Sequence, residues 1–238
     1  MQQDDNYKRV YLWLMIPLVI TLCGFSLSYF LRFAQMSWEQ HAHGLSAMLW
    51  MLLLIVQPYI AVNKNNRSLH RNLGKLGILL AGIVAGTAIS AIDNNIAFAL
   101  KDGTPEPFKV FMYGVSIVDL FLVSGFIYLV AKAILNTKDT REHSTYMIAT
   151  ALLLLSPGLT RLLVYIGALG FDLKIIPLHT LPIATATVLL ASSWFMYRYN
   201  RLNHPAYYVI LLVSVSAFAV PIMGESESVR ELMDRVFA

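Results

Sequence analysis

The chain of 238 residues is 57% hydrophobic and only 13% charged, whereas a soluble domain carries about 25% charged residues. This composition excludes an ordinary soluble domain and predicts a protein embedded in lipid. Its net charge of +4 is explained by basic residues concentrated on one side of the membrane, as described below. We therefore expect no nucleic-acid partner.

Seven apolar windows are long enough to cross a bilayer as helices, since a hydrocarbon core of about 30 Å takes about 20 residues. They lie at residues 10–33, 40–63, 73–99, 108–135, 143–168, 176–197 and 205–222. The gaps between them are short and rich in Pro, Asn, Asp and Lys, which end helices. We therefore predict an all-α, polytopic transmembrane bundle that forms a single domain over residues 1–238.

The distribution of Lys and Arg predicts the orientation of this bundle. With the N-terminus in the cytoplasm, 11 of the 18 basic residues lie on the inner side and 6 on the outer side, while Arg161 lies within a helix. Because basic residues favour the cytoplasmic side, we expect an internal N-terminus and an external C-terminus. The predicted location is the inner membrane of a bacterium, in contact with lipid.

The two ends of the chain receive separate predictions. The apolar run from Val10 is longer than the 7–15 residues of a signal-peptide core, so we expect it to remain as the first helix. At the other end, residues 228–237 carry Val229, Leu232, Met233 and Val236 at helical spacing. This pattern predicts a short amphipathic helix that lies on the outer leaflet or packs on a partner.

A stripe of small residues marks the third apolar segment. Gly82, Gly86 and Ser90 recur every four residues, a spacing that lets another helix approach closely. We therefore expect the third segment to be packed centrally.

Polar residues from five segments fall in the outer half of the predicted bundle. Charged and polar groups are costly in lipid and usually face protein or water. The set comprises His43, Asp93, Asp119, Arg161 and His179. The alternatives are a functional cluster, or interfacial histidines together with a structural ion pair between Arg161 and one aspartate.

The motif "HAH" at residues 41–43 raises the question of which histidine faces inward. Two residues apart on a helix, the two side chains diverge by about 200°. His43 shares a stripe with Trp50 and Gln57, because helix positions three and four apart lie on one face. We therefore expect His43 to face inward and His41 to be exposed or to contact an outer loop.

A second set of histidines lies on the predicted cytoplasmic side. His70 and His143 each stand at the start of an apolar segment, and His204 precedes the last one. Helix N-termini favour neutral imidazole, which suits a metal ligand, although the same position is ordinary for a solvated histidine. We expect His204 to be solvated and leave both interpretations open for the other two.

Three of these elements together resemble a known family. The order is His43, then "LHRNLGK" containing His70 and Arg71, then "EHSTYMIATALLLLSPGLTRLL" containing His143, Met147 and Arg161. This order resembles an uncharacterised family of bacterial multipass membrane proteins, a domain of unknown function, over about residues 43–161. The chain differs from the family pattern at residues 144–146 and at Ala149, where an Arg- and Trp-rich opening is expected. The resemblance implies no activity, but it points to His43, His70, His143 and Arg161 for testing.

Three classes of function are compatible with these residues. The first is binding of b-type haem or a metal ion for electron transfer, by His43 with His179 outside and by His70 with His143 inside. A metal-dependent hydrolase would use the same outer residues, but the chain has no H-E-x-x-H motif. The second class is a carrier or sensor for an anionic or protonatable molecule, with Arg161 as anion contact and Asp93 or Asp119 as proton site. The third is a structural or assembly subunit with a membrane protein partner or a second copy of itself.

Two further observations bear on these classes. "SPGLTR" places Pro157 and Gly158 just before Arg161, and broken helices often line transporter sites. The last apolar segment, "AYYVILLVSVSAFAV", contains no lysine, which excludes a retinal Schiff base there.

Overall fold

The computed structural model describes residues 9–237, and all the secondary structure within that range is helical. The helices, in chain order, are α1 (Val10–Phe25), α2 (Trp38–Pro58), α3 (Arg67–Leu100), α4 (Glu106–Leu135), α5 (Thr140–Leu153), α6 (Leu155–Tyr165), α7 (Pro177–Arg198), α8 (Pro205–Phe218), α9 (Val220–Glu225) and α10 (Glu227–Phe237). A 3₁₀ turn at Phe30–Gln35 joins α1 to α2, and π-helical turns at Tyr59–Asn63 and Ile166–Gly170 extend α2 and α6.

Five helical stretches are long and apolar enough to cross a membrane. They are Trp38–Asn63, Arg67–Leu100, Glu106–Leu135, Thr140–Gly170 and Pro177–Arg198. The first and last predicted windows instead contain the shorter apolar helices α1 and α8, of 16 and 14 residues. The last window is divided because Pro221, in the first turn of α9, lacks the N–H that a continuous helix would require.

Trp50 fixes α2 against the centre of the bundle. Its indole is 1% exposed, and Nε1 donates to the Thr150 hydroxyl at 3.2 Å. The ring also meets Phe126 edge-on, with 5.1 Å between the centroids. These contacts set the rotation of α2, so that residues on the Trp50 face point toward α4 and α5.

The predicted close-packing stripe on the third segment was wrong. A methyl group added at Gly82 or Gly86 would meet nothing within 4 Å, and both glycines are exposed. The neighbouring Val84 and Ala85 are buried instead, since successive helix residues turn by about 100°.

The close helix crossing occurs between α1 and α6. A methyl group on Gly24 would lie 2.0 Å from the carbonyl oxygen of Gly158. One on Gly158 would lie 2.8 Å from the Cα atom of Thr21. Only glycine at these two positions lets the backbones approach this closely, and Arg161 lies one helical turn beyond the crossing.

The C-terminal helix α10 packs on its own chain. Met233 is 1% exposed and belongs to an apolar cluster with Ile92, Ile96, Ala99 and Tyr113. Arg230 pairs with Glu106 at 2.6 Å, and Tyr113 donates to Asp234 at 2.7 Å. The apolar side of this helix is therefore partly covered by α3 and α4, while Leu232 and Val236 remain exposed.

Candidate ligand cavity

A cavity of about 390 Å3 lies among the helices, and residues from α1 to α8 line it. Most of its wall is apolar, formed by Val, Leu, Met and Phe side chains. The charged side chains in its lining are Glu39, Asp119 and Arg161, and His43, Asn94 and Asn95 are among its polar ones. An apolar wall with a few polar groups is typical of small-molecule sites, and the volume falls at the lower end of their usual range.

Arg161 offers unused hydrogen-bond donors to this cavity. Its NH1 atom donates to the Pro157 carbonyl at 3.1 Å, and the guanidinium lies 4.5 Å from the centroid of the Phe25 ring. A guanidinium has five N–H donors in a planar fork. Within the described residues, the other donors have no protein acceptor, so they are available to an anionic group.

A local irregularity in helix geometry separates α5 from α6. It lies at Leu154, where ψ is −2°, within the longer helical stretch Thr140–Gly170. Leu154, Ser156 and Pro157 all line the cavity. The irregular turn therefore borders the cavity.

Asp119 lies on α4, and its Oδ2 accepts a hydrogen bond from Asn95 at 3.2 Å. Asp119 and Arg161 attract one another electrostatically, but no salt bridge within 4 Å joins these two residues. The predicted direct ion pair between Arg161 and an aspartate is therefore not formed, and the two charges remain separate polar features of one cavity.

His43 faces inward and is held by α3. The Thr87 hydroxyl donates to the Ile83 carbonyl at 2.8 Å, so its oxygen can accept from Nδ1 of His43, 3.3 Å away. In that neutral tautomer Nε2 carries the free lone pair. This nitrogen has no hydrogen-bond partner among residues 9–237, and the charge of Arg161 reaches the ring.

His41 turns away from the cavity toward the turn after α1. Its Nδ1 shares a hydrogen bond of 2.9 Å with the Tyr29 hydroxyl, and the Phe33 ring lies 4.2 Å away between centroids. The two histidines of "HAH" thus have different surroundings.

Two members of the predicted outer cluster lie elsewhere. Asp93 is exposed, whereas the next two residues, Asn94 and Asn95, line the cavity, because each step along a helix turns the side chain by about 100°. His179 is also exposed, and its Nδ1 accepts from the Ile176 N–H at 3.4 Å at the start of α7. Neither Asp93 nor His179 contributes to the wall that contains His43.

Gln57 belongs to a different cluster from His43. Gln57 is 7% exposed and lies against His70. When its amide nitrogen faces the His70 imidazole, its amide oxygen accepts from the Gly74 N–H at 3.0 Å.

The rings of His70 and His143 meet at right angles with 6.2 Å between centroids. Nδ1 of His143 donates to the Ala133 carbonyl at 2.8 Å, which leaves its Nε2 as the free nitrogen.

The expectation that His204 is solvated was wrong. It is 6% exposed, and its Nδ1 accepts from the Ala206 N–H at 3.1 Å. Its Nε2 therefore donates to Glu142, 2.9 Å away, whose other oxygen binds Arg201 at 2.5 Å. This network joins α5 to the start of α8, and no motif in the sequence indicated it.

Clusters with three or more His, Cys, Asp or Glu side chains placed to hold a metal ion do not occur within residues 9–237. No family model, curated protein or solved structure matches this chain. The interpretation of the cavity therefore depends on its own chemistry.

Proposed function

We propose that this protein is a bacterial inner-membrane carrier or sensor that binds a small organic anion in the central cavity. The observation that carries the proposal is Arg161, whose guanidinium lines an apolar cavity with most of its donors unused. A cation at membrane depth is costly unless paired or hydrated. A bound carboxylate would supply that partner with bidentate geometry.

The irregular junction between α5 and α6 supports the proposal that the protein is a carrier. Leu154, Ser156 and Pro157 border the cavity at the junction of α5 and α6. A helix irregularity beside a cavity is compatible with a carrier, because broken helices line substrate sites in many secondary transporters. A sensor would use the same binding site without net transfer of the ligand.

The same proposal includes seven membrane crossings with the N-terminus inside and the C-terminus outside. The two shorter helices can still cross, because α8 and α9 follow one another over residues 205–225, a length near the 20 residues that a bilayer requires. The helix α1 is extended toward α2 by the 3₁₀ turn at Phe30–Gln35. The bias of basic residues toward one side supports the orientation.

The test is thermal unfolding of the purified protein in mild detergent, with and without a panel of small carboxylates that carry apolar groups. Binding raises the midpoint by an amount that grows with the logarithm of the ligand concentration over Kd. We expect the shift in the wild type and in Arg32→Gln, an exposed arginine outside the cavity wall. We expect no shift in Arg161→Gln. A panel without effect on the wild type, in protein that is folded, would favour a structural or assembly subunit instead.

A second candidate function rests on His70 and His143. Two imidazoles bound at about 2.1 Å to opposite sides of one ion would have their centroids about 6.5 Å apart, near the 6.2 Å observed. The carbonyl that accepts from Nδ1 of His143 is the usual support for a metal-binding histidine. A haem or metal ion at this pair remains a proposal; an absorption spectrum before and after reduction, with metal analysis, tests it.

A further inference from the structure

The cavity wall formed by α3 and α4 presents hydrogen-bond acceptors. Nδ2 of Asn95 donates to Asp119 at 3.2 Å, and Nδ2 of Asn94 donates to the Ser90 carbonyl at 2.9 Å. Each asparagine therefore uses one of its two amide N–H donors within the protein. Their Oδ1 atoms, for which no donor occurs within residues 9–237, are available to accept from a ligand.

The carboxylate of Asp119 adds negative charge to this wall. It accepts one hydrogen bond, from Asn95, although a carboxylate can accept about four. We call the three side chains Asn94, Asn95 and Asp119 the acceptor wall. Arg161, on α6, is the positively charged group of the same cavity, and it lies beyond salt-bridge distance of Asp119.

This separation of charge restricts the kind of molecule that complements the cavity. An anion alone would satisfy Arg161 but would leave the oxygens of the acceptor wall without donors, which is costly in a low-dielectric site. A primary ammonium group has three N–H donors and no acceptor, and the acceptor wall contains three oxygen-bearing side chains. A ligand with both groups satisfies both sides.

We propose that the ligand is a zwitterion with an apolar body, whose carboxylate binds Arg161 and whose primary ammonium group binds the acceptor wall. This inference rests on the proposed function and specifies its substrate class. The cavity of about 390 Å3 has room for an amino acid or a molecule of similar size. The apolar Val, Leu and Met side chains of the wall would contact the hydrocarbon part of the ligand.

The experiment compares matched probes by thermal unfolding in sodium-free buffer. The zwitterions are leucine and 6-aminohexanoate, which place the two charges at different spacings. Each is paired with its N-acetyl derivative and with the acid that lacks the amine. We expect at least one zwitterion to bind at least about 10-fold more tightly than both of its partners, since hydrogen bonds to charged groups are stronger than neutral ones.

Variants test whether the preference for the zwitterion arises at the acceptor wall. Asp119→Asn should remove the preference for the zwitterion over the amine-free acid. Asp93→Asn is the matched control, because Asp93 is exposed next to Asn94 and lies outside the cavity wall. If Asp119→Asn does not fold, Asn94→Ala serves in its place, with a smaller loss of preference.

Three results would overturn the inference. Equal affinity for acid and zwitterion, lost in Arg161→Gln, would leave the proposed function standing and remove the ammonium site. Binding of the amine-free acid that requires added sodium and Asp119 would assign the acceptor wall to an alkali cation. No binding of any probe or of the carboxylate panel would overturn the inference and the proposed function together.

Discussion

Asp119 and Arg161 face one cavity from α4 and α6 without touching, although their opposite charges attract. Such an arrangement couples the two residues energetically at a distance. The sequence predicts that both residues lie in one half of the bundle but does not indicate whether they form an ion pair. The coupling can be measured directly.

We expect Arg161→Gln and Asp119→Asn each to lower the free energy of unfolding, because each leaves the opposite charge in an apolar surrounding without compensation. The double variant should be less destabilised than the sum of the two, by about 1 kcal/mol. Denaturation of the four proteins in one detergent measures this difference. Strictly additive losses would show that the two charges do not interact.

The crossing of α1 and α6 predicts that alanine substitutions at two glycines have different effects on stability. Gly158→Ala should destabilise the protein by about 1–3 kcal/mol, the usual cost of overpacking, because the added methyl would lie 2.8 Å from the backbone of Thr21. Gly82→Ala should be neutral or slightly stabilising, since the methyl meets open space and alanine is the better helix former.

Midpoints of thermal unfolding for the two glycine variants test the crossing. Equal midpoints, or a larger loss in Gly82→Ala, would mean that α1 and α6 are not in backbone contact. The Gly158→Ala variant should also weaken ligand binding, because Phe25 and Arg161 are positioned next to the crossing.

Alanine variants of the two histidines of "HAH" should differ in their effects on ligand binding and on stability. His43→Ala should weaken ligand binding about 10-fold, because it removes the unpartnered Nε2 from the cavity, and it also removes the hydrogen bond to Thr87. His41→Ala should leave binding unchanged and lower stability by about 1 kcal/mol, the contribution of one hydrogen bond, here from Tyr29. Binding isotherms and unfolding curves of the same preparations check both. A binding defect in His41→Ala alone would contradict the orientation of α2.

The membrane orientation can be tested with reporter fusions. Alkaline phosphatase fused after Ala238 should be active, since it folds outside the cytoplasm, and a green fluorescent protein fusion at the same position should be dark. A fusion between α3 and α4, near Asp102, should give the same result, because that connection is also predicted to lie outside. The opposite pattern at both positions would reverse the orientation, and opposite results between the two would change the number of crossings.

Periodicity and composition predicted the helical class and most helix positions. The five long helices coincide with five of the predicted windows to within a few residues at most boundaries. His43 was placed on the Trp50 face because seven residues are two helical turns, over which a stripe stays aligned. Gln57 lies fourteen residues from His43, and its side chain instead meets His70 on the following helix.

The polar site was less predictable, because the type of a polar residue does not determine which way its side chain points. In "DNN" the sequence favours Asp93 as the functional residue, yet the two amides after it line the cavity. The Glu142, Arg201 and His204 network joins residues about 60 positions apart, and a single sequence contains no signal for such contacts. Phe25 and Thr87 were missed for the same reason, since each acts through a neighbour on another helix.

The most direct measurement of the central claim is ligand protection of a thiol placed in the cavity. Cys23 is the only cysteine, so a Cys23→Ser, Ser156→Cys protein carries one thiol on the cavity wall beside Arg161. The best ligand should slow labelling of this thiol by a water-soluble thiol reagent at least about 10-fold, because a bound molecule excludes the reagent from the cavity. The control is Cys23→Ser, Leu173→Cys, at a 51% exposed position in the connection before α7 and outside the wall, where the ligand should have no effect. Labelling at residue 156 that the ligand does not affect would contradict a binding cavity centred on Arg161.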